Sequence, residues 1–250
     1  MARDIVINLL AYADAVARGT KQEQLFAEVA SLGVPKVEVR REWIKDYDVE
    51  LEQMRKRAEE LSIEVYYSIP DVLFKQDKLN RFNLSRYFQE AEMLGATRIK
   101  FAVGDFNCRE GQELVALKSL ISAHDILVTV EGDQSAANGR VEPILALMEA
   151  CSAQGIAIYN TFDVGNFVWV GQEPLYNAVK LAQYVQYIHL KDVEMTQQGP
   201  QVRCLDEGNI DWRAALRLLP KNVPIGIEFP CGEQPREIIA NAIRKIREAN

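Results

Sequence analysis

The sequence predicts a closed (β/α)8 barrel, a TIM barrel, occupying residues 1–250 as a single domain. Three observations lead there. Short β-rich runs alternate with amphipathic stretches along the whole chain, the runs number eight, and successive runs begin roughly every 30 residues, the repeat of a β/α unit. Parallel strands joined by right-handed helical crossovers require this alternation. No G-x-G-x-x-G follows the first run, where an open dinucleotide-binding sheet would place its phosphate turn.

In chain order the strand segments are 5–10, 34–40, 63–69, 97–103, 126–131, 156–163, 185–191 and 224–229. The first reads as a buried strand rather than a signal peptide, because Asn8 interrupts a short apolar run and Asp4 stands where positive charge is wanted. Between the segments, apolar residues recur at helical spacing, as in Leu51, Met54, Ala58 and Leu61, or Ile144, Leu147, Met148 and Cys151. Each such stretch has one face to bury. Gly33, Gly95 and Gly155 fall just past helical runs, where a left-handed C-cap belongs; Pro143, Pro174 and Pro235 stand at helix starts, and Asp211 is an N-cap before Trp212. The longest interval, 194–209, opens after the seventh strand and holds Gly199, Pro200 and Gly208, so it is expected to be a lid over the catalytic face.

Charge and cysteine usage narrow the function. With 29 Lys+Arg against 36 Asp+Glu the net charge is −7, which argues against a broad phosphate-binding surface and so against a nucleic-acid partner. No run approaches the ~20 apolar residues of a membrane span. Cys108, Cys151, Cys204 and Cys231 include no C-x-x-C pair, which suggests reduced thiols in a cytoplasmic protein. The expected partner is a small molecule, with a homo-oligomer left open.

Chemistry concentrates at the C-terminal strand ends, the catalytic face of such a barrel. Glu131 closes the fifth segment, Asp163 the sixth, and His189 and Glu228 lie near the ends of the seventh and eighth. If Val128, Val130, Ile188, Leu190, Ile225 and Ile227 face the helices, strand alternation turns Glu131, His189 and Glu228 toward the axis. Three carboxylates converging there repel one another, and a divalent cation is the simple way to hold them together. An oxygen-rich set with one nitrogen favours Mn²⁺, with Mg²⁺ or Co²⁺ as alternatives. Glu38 and Arg40 share a parity on the second segment, either to bind substrate hydroxyls or to pair inside the barrel. His124 is taken as a surface residue.

These residues occur in motifs that resemble the xylose-isomerase-like barrels of sugar isomerases and epimerases. The motifs are Glu131 after the fifth strand, Phe162-Asp163-Val164-Gly165-Asn166 after the sixth, Ile188-His189-Leu190-Lys191-Asp192 on the seventh, Glu207-Gly208-Asn209-Ile210-Asp211-Trp212 before a helix, and Ile227-Glu228 on the eighth. The resemblance implies that Glu131, Asp163, His189 and Glu228 bind one divalent metal ion and that Glu131 and Glu228 act as acid-base catalysts. Two positions depart from the family's pattern. Asn166 stands where many relatives carry a second histidine, and Gly132-Asp133 follows Glu131 where they often have Asn and His. The three-zinc endonucleases of the same barrel need more histidines than the two present here.

The expected reaction is proton abstraction next to a carbonyl through an enediolate, in a sugar or sugar phosphate, with ketose 3-epimerase as the specific expectation. A dehydratase of a cyclic keto-polyol and a non-catalytic sugar-binding barrel are the alternatives. Asn166, Lys191, Arg203, Trp43, Phe74 and Trp169 are the expected substrate-binding residues: the aromatics to stack on a sugar face, the cations to meet a phosphate or carboxylate.

Overall fold

The computed structural model describes residues 3–107 and 111–249. Eight parallel strands close into a ring: β1 (Ile5–Asn8), β2 (Lys36–Arg40), β3 (Glu64–Lys75), β5 (Ala96–Gly104), β6 (Leu127–Glu131), β7 (Ile158–Asp163), β8 (Val185–Leu190) and β11 (Ile225–Ile227), which pairs back onto β1. Two short antiparallel additions lie outside the ring, β4 (Lys78–Leu79) against β3, and the hairpin β9 (Asp192–Thr196) with β10 (Gly199–Arg203). The wall is α1 (Ala13–Ala17), α2 (Gln22–Ser31), α3 (Tyr47–Leu61), α4 (Arg81–Leu94), α5 (Gly111–Ser122), α6 (Val141–Ala153), α7 (Pro174–Leu181), α8 (Trp212–Leu218) and α9 (Pro235–Ala249). The expected (β/α)8 barrel is the fold.

Strand alternation divides each strand between two environments. Val37, Val39, Val65, Ile99, Phe101, Val128, Val130, Ile188, Leu190, Ile225 and Ile227 are buried in one continuous apolar layer with Phe26, Met54, Phe88, Leu117, Leu147, Leu181, Leu216 and Ile243 of the helices. The opposite parity fills the barrel axis, and much of it is polar: Glu38, Lys100, Thr129, Glu131, Thr161, Asp163 and His189, all buried. A small apolar plug of Val6, Tyr66 and Tyr187 lies inside, and the Arg98 guanidinium stacks on both tyrosines, 4.8 and 5.3 Å from the ring centres. Branched apolar layers normally fill such an axis; here charged groups do.

Helix ends follow the sequence signals. Pro174 and Pro235 are the first residues of α7 and α9, Asp211 accepts from Ala214 N at 2.8 Å, and Gly95 ends α4 at φ 71°. Most strands begin or end a residue or two from the expected limits, and four departures concern the catalytic face. β1 stops at Asn8 because its side chain accepts from Leu10 N (2.9 Å) and starts a 3-10 turn. β11 holds only three residues, although Glu228 N still reaches Leu190 O at 3.1 Å. β3 continues to Lys75 and folds back as β4, tied by Asp71, which accepts from Tyr87 Oη (2.8 Å) and Asn80 Nδ2 (3.2 Å).

The fourth difference corrects the expected loop at 194–209. It is largely a hairpin, and its base is fastened by the buried carboxylate of Asp192. That group accepts four backbone N–H groups, from Val193 (2.8 Å), Ile210 (3.0 Å), Gly208 (3.0 Å) and Asp206 (3.1 Å). Gly208 has to be glycine, since a Cβ there would overlap Asp192 Oδ1. No helix among the described residues is long and apolar enough to cross a membrane. Cys151 and Cys231 are buried, Cys204 is half-buried, and all three are unpaired; Cys108 lies outside the described residues.

Hydrogen bonds to a charged acceptor contribute about 1.5–3 kcal/mol each, and a buried donor left without one is costly. Asp192→Ala is therefore expected to cost about 3 kcal/mol or more in urea denaturation and to remove hydrogen-exchange protection from 206–210. Wild-type stability in this variant would contradict the role assigned to Asp192.

Candidate active site

Each candidate ligand ends or follows a strand. Glu131 is the last residue of β6, Asp163 the last of β7, His189 the penultimate of β8, and Glu228 follows β11. One donor atom from each lies within 4.8 Å of all the others, and all four side chains are buried. His189 Nδ1 is 2.6 Å from Glu131 Oε1, 3.3 Å from Glu228 Oε2 and 3.9 Å from Asp163 Oδ2. The turn after β7 aims Asp163: its Oδ1 accepts from the backbone of Gly165 (2.7 Å) and Asn166 (2.8 Å), which leaves Oδ2 facing the cluster.

The protein supplies its own counter-charges. Lys191 Nζ is 2.8 Å from both Glu228 Oε2 and Asp163 Oδ2, and Lys100 Nζ pairs with Glu131 and lies 3.8 Å from Glu38 Oε1. The stem of Lys191 lies over Gly165, where a Cβ would come within 2.7 Å of its Cγ. Glu228 Oε1 also receives Asn8 Nδ2 at 3.2 Å and Arg40 Nη1 at 3.4 Å. Sequence reasoning missed Lys100 and Asn8, and assigned Lys191 only to substrate. The legible signal was inward parity on their strands, the same signal that identified Glu131.

Burial opposes every charge here, and the neighbours decide the outcome. Against burial, Lys100 and His189 hold Glu131 below the usual carboxylate range, and His189 and Lys191 do the same for Glu228. Burial prevails at Asp163, reinforced by Glu228 and Glu131 against the pull of Lys191, and its carboxyl is pushed up to about 7. Asp163 Oδ2 has the Lys191 ammonium 2.8 Å away as its ion-pair partner. A buried carboxylate oxygen turned inward, beside three further oxygen or nitrogen donors, fits a hard divalent cation.

A pocket of about 480 Å³ opens above the cluster. Glu131, Lys191, Glu228, Lys100, Arg40, Asn166, Asn138, Asp71 and Ser68 form its polar wall, and Leu10, Ile69, Pro70 and Val72 its apolar side. Asn166 is there as expected: its Nδ2 donates to Gly132 O (2.8 Å), while its Oδ1 has no partner.

Four expected substrate residues are not brought to this pocket. Trp43 lies beneath the Arg40 guanidinium, 5.6 Å away, and lines a separate crevice. Phe74 is buried against Phe106, ring centres 5.0 Å apart, because β3 continues where a loop was expected. Trp169 belongs to the 3-10 turn Asn166–Val170, outside the lining. Arg203 is on β10, bound to Glu194 (2.8 Å) and Gln201 (2.8 Å). No residue of 194–209 lines the pocket; residues within 69–72 and 133–138 border its mouth. His124 stacks on Phe88 at 4.5 Å, on the helical wall.

No family model and no curated protein matches the chain. Its likeness is to solved structures. A xylose isomerase domain containing protein from Salmonella typhimurium LT2 is 16% identical, with a TM-score of 0.70, over 98% of this chain and 97% of that one. L-ribulose 3-epimerase is 14% identical, with a TM-score of 0.71, over 100% and 94%. The probable 3-DHS dehydratase involved in petrobactin synthesis in Bacillus anthracis is 12% identical, with a TM-score of 0.70, over 96% and 97%. The fold is that of the xylose-isomerase-like TIM barrels, and proteins of different named activities share it.

The raised carboxyl of Asp163 gives a pH signature. Its folded pKa of about 7 exceeds the ordinary unfolded value of about 3.9, so the folded state holds the proton more tightly. The stability it contributes is full below about pH 4 and is lost as pH rises toward 7. With a chelator present, the wild type should lose stability relative to Asp163→Asn across that interval. Parallel curves for the two proteins would refute the assignment.

Proposed function

We propose that this barrel is a divalent-metal-dependent isomerase or epimerase acting on a small polyhydroxy carbonyl compound, a sugar or sugar phosphate, with ketose 3-epimerisation as the specific reaction. The observation that carries this reading is a pair of glutamates, Glu131 and Glu228, on strands well apart around the ring yet both directed into one buried donor cluster beneath the pocket. One base suffices to remove a proton; two on different sides permit its return to the other face.

Glu131, Asp163, His189 and Glu228 would hold one ion, Mn²⁺ on the chemistry of the donor set. When bound it supplies Lewis acidity toward a carbonyl oxygen and its neighbouring hydroxyl. The chain's own groups do the rest. His189, Lys100 and Lys191 favour the ionised form of Glu131 and Glu228, the form that can accept a proton. One glutamate, ionised, accepts the proton from the carbon beside the carbonyl, and the other, having taken up a proton from solvent, delivers it to the opposite face, so that the two exchange protonation states over a turnover. Asn166 Oδ1, Asn138 and Ser68 offer hydrogen bonds to substrate hydroxyls, and Leu10, Ile69 and Pro70 keep water from that side.

One observation favours dehydration as a second reading. The Lys191 ammonium, at the pocket wall beside Glu228, is a third proton donor, able to protonate a departing β-hydroxyl.

Chelation is expected to abolish turnover, with activity restored by Mn²⁺; full activity in protein shown metal-free by elemental analysis would end the reading. Glu131→Gln and Glu228→Gln should each lower kcat by at least about 10²-fold. In deuterated water, NMR of a ketose product should show label at C3 with inversion. Label at the adjacent carbon would instead mean isomerisation, and loss of water from a keto-polyol would favour the dehydratase.

A further inference from the structure

The imidazole of His189 meets carboxylates through both of its nitrogens. Nδ1 faces the donor cluster, and Nε2 lies 2.7 Å from Glu38 Oε2 on the far side of the ring. Glu38 sits in the middle of β2 and is only 1% exposed. The same Oε2 accepts from the Tyr187 hydroxyl at 2.8 Å, while Oε1 accepts no hydrogen bond. The Tyr187 ring stands edge-on to the His189 ring, with centres 4.8 Å apart. Opposite them, Gly226 leaves the necessary room: a Cβ there would overlap Tyr187 Oη and come within 3.0 Å of His189 Cδ2.

A carboxylate this deeply buried is costly to keep, and its spare oxygen adds to the cost. Pairing with Lys100 alone does not account for its position, since Nζ is 3.8 Å away and already holds Glu131. The short contacts of Glu38 are to His189 and Tyr187. A neutral imidazole carries its proton on one nitrogen and its lone pair on the other, and the hydrogen bond made by the first decides which is which.

We propose that Glu38 is a positioning residue of the metal site: it accepts the Nε2–H of His189, fixes the ring's orientation and so leaves Nδ1 as the ligating nitrogen, with Tyr187 holding Glu38 in place and Gly226 leaving room for the Tyr187 and His189 rings. The proposal rests on the reading that the four-residue cluster holds a cation. A carboxylate in this position also raises the donor strength of the imidazole, and loss of such a partner typically costs 10- to 100-fold in metal affinity.

The test is calorimetric titration of Zn²⁺ alone into the metal-free wild type, Glu38→Ala, Glu38→Gln and Tyr187→Phe, together with NMR of ¹⁵N-histidine-labelled protein, whose spectrum contains only two histidines. Wild type should show a hydrogen-bonded proton on His189 Nε2 and, with Zn²⁺, a metal-bound Nδ1. Glu38→Ala should bind Zn²⁺ about 10- to 100-fold more weakly and lose the Nε2 proton signal. Glu38→Gln, which still accepts through its amide oxygen, should keep that signal with a smaller loss of affinity, and Tyr187→Phe should weaken binding a few-fold. A purely structural Glu38 would lower thermal stability and leave ring signals and affinity alone, and that result overturns the proposal. Should Glu38→Ala fail to fold, wild-type affinity with unchanged ring signals in both Glu38→Gln and Tyr187→Phe overturns it equally. A wild type that binds no Zn²⁺ removes the metal reading itself, whereas binding indifferent to Glu38 removes only this inference.

Discussion

The constraint on which the site depends is charge balance among buried side chains. Glu38, Glu131, Asp163 and Glu228 lie together in the axis and mouth of the barrel, where an isolated ion would be prohibitively expensive. They are tolerated because Lys100 and Lys191 rise from the same inward positions and Arg40 closes the pocket side. Removing one member leaves its partner a buried, uncompensated charge, so the cluster stands as a unit. The apolar layer between strands and helices makes this affordable, since it stabilises the barrel without help from the axis.

A second layer of organisation belongs to the backbone. Three aspartates, Asp163 and Asp192 at strand ends and Asp71 within β3, convert loops into fixed scaffolding: Asp71 holds the return from β3, Asp163 gathers two amides of the following turn, and Asp192 gathers four at the base of the hairpin. Asp163 joins the two layers, because the oxygen spent on the turn determines where the other one points. Loop geometry and ligand geometry are thus set by one side chain.

The barrel was legible because period-2 and period-3.6 patterns alternate eight times, and Glu131, Asp163, His189 and Glu228 because strand ends and parity are local properties. The aromatics were misplaced for a tertiary reason. Phe74 reads as a loop residue until the pairing of β3 with β5 and β4 extends the strand beneath it. Arg203 reads as a loop cation open to a substrate anion until β10 pairs with β9 and brings Glu194 within reach. Lys100 and Glu38 had the right parity, but their importance comes from partners about 30 and 150 residues away, which no local window contains.

The two lysines also bear on the order in which the protein is assembled. In many small metalloproteins the ligands repel one another until the ion arrives, so folding waits for loading. Here the ammonium groups of Lys100 and Lys191 already satisfy Glu131, Asp163 and Glu228. On the proposed metal reading, an ion therefore enters a barrel that is already folded, by displacing internal charges. On that reading the supply of folded protein is uncoupled from the supply of cofactor, and metal availability would regulate how much of the protein is loaded rather than how much exists.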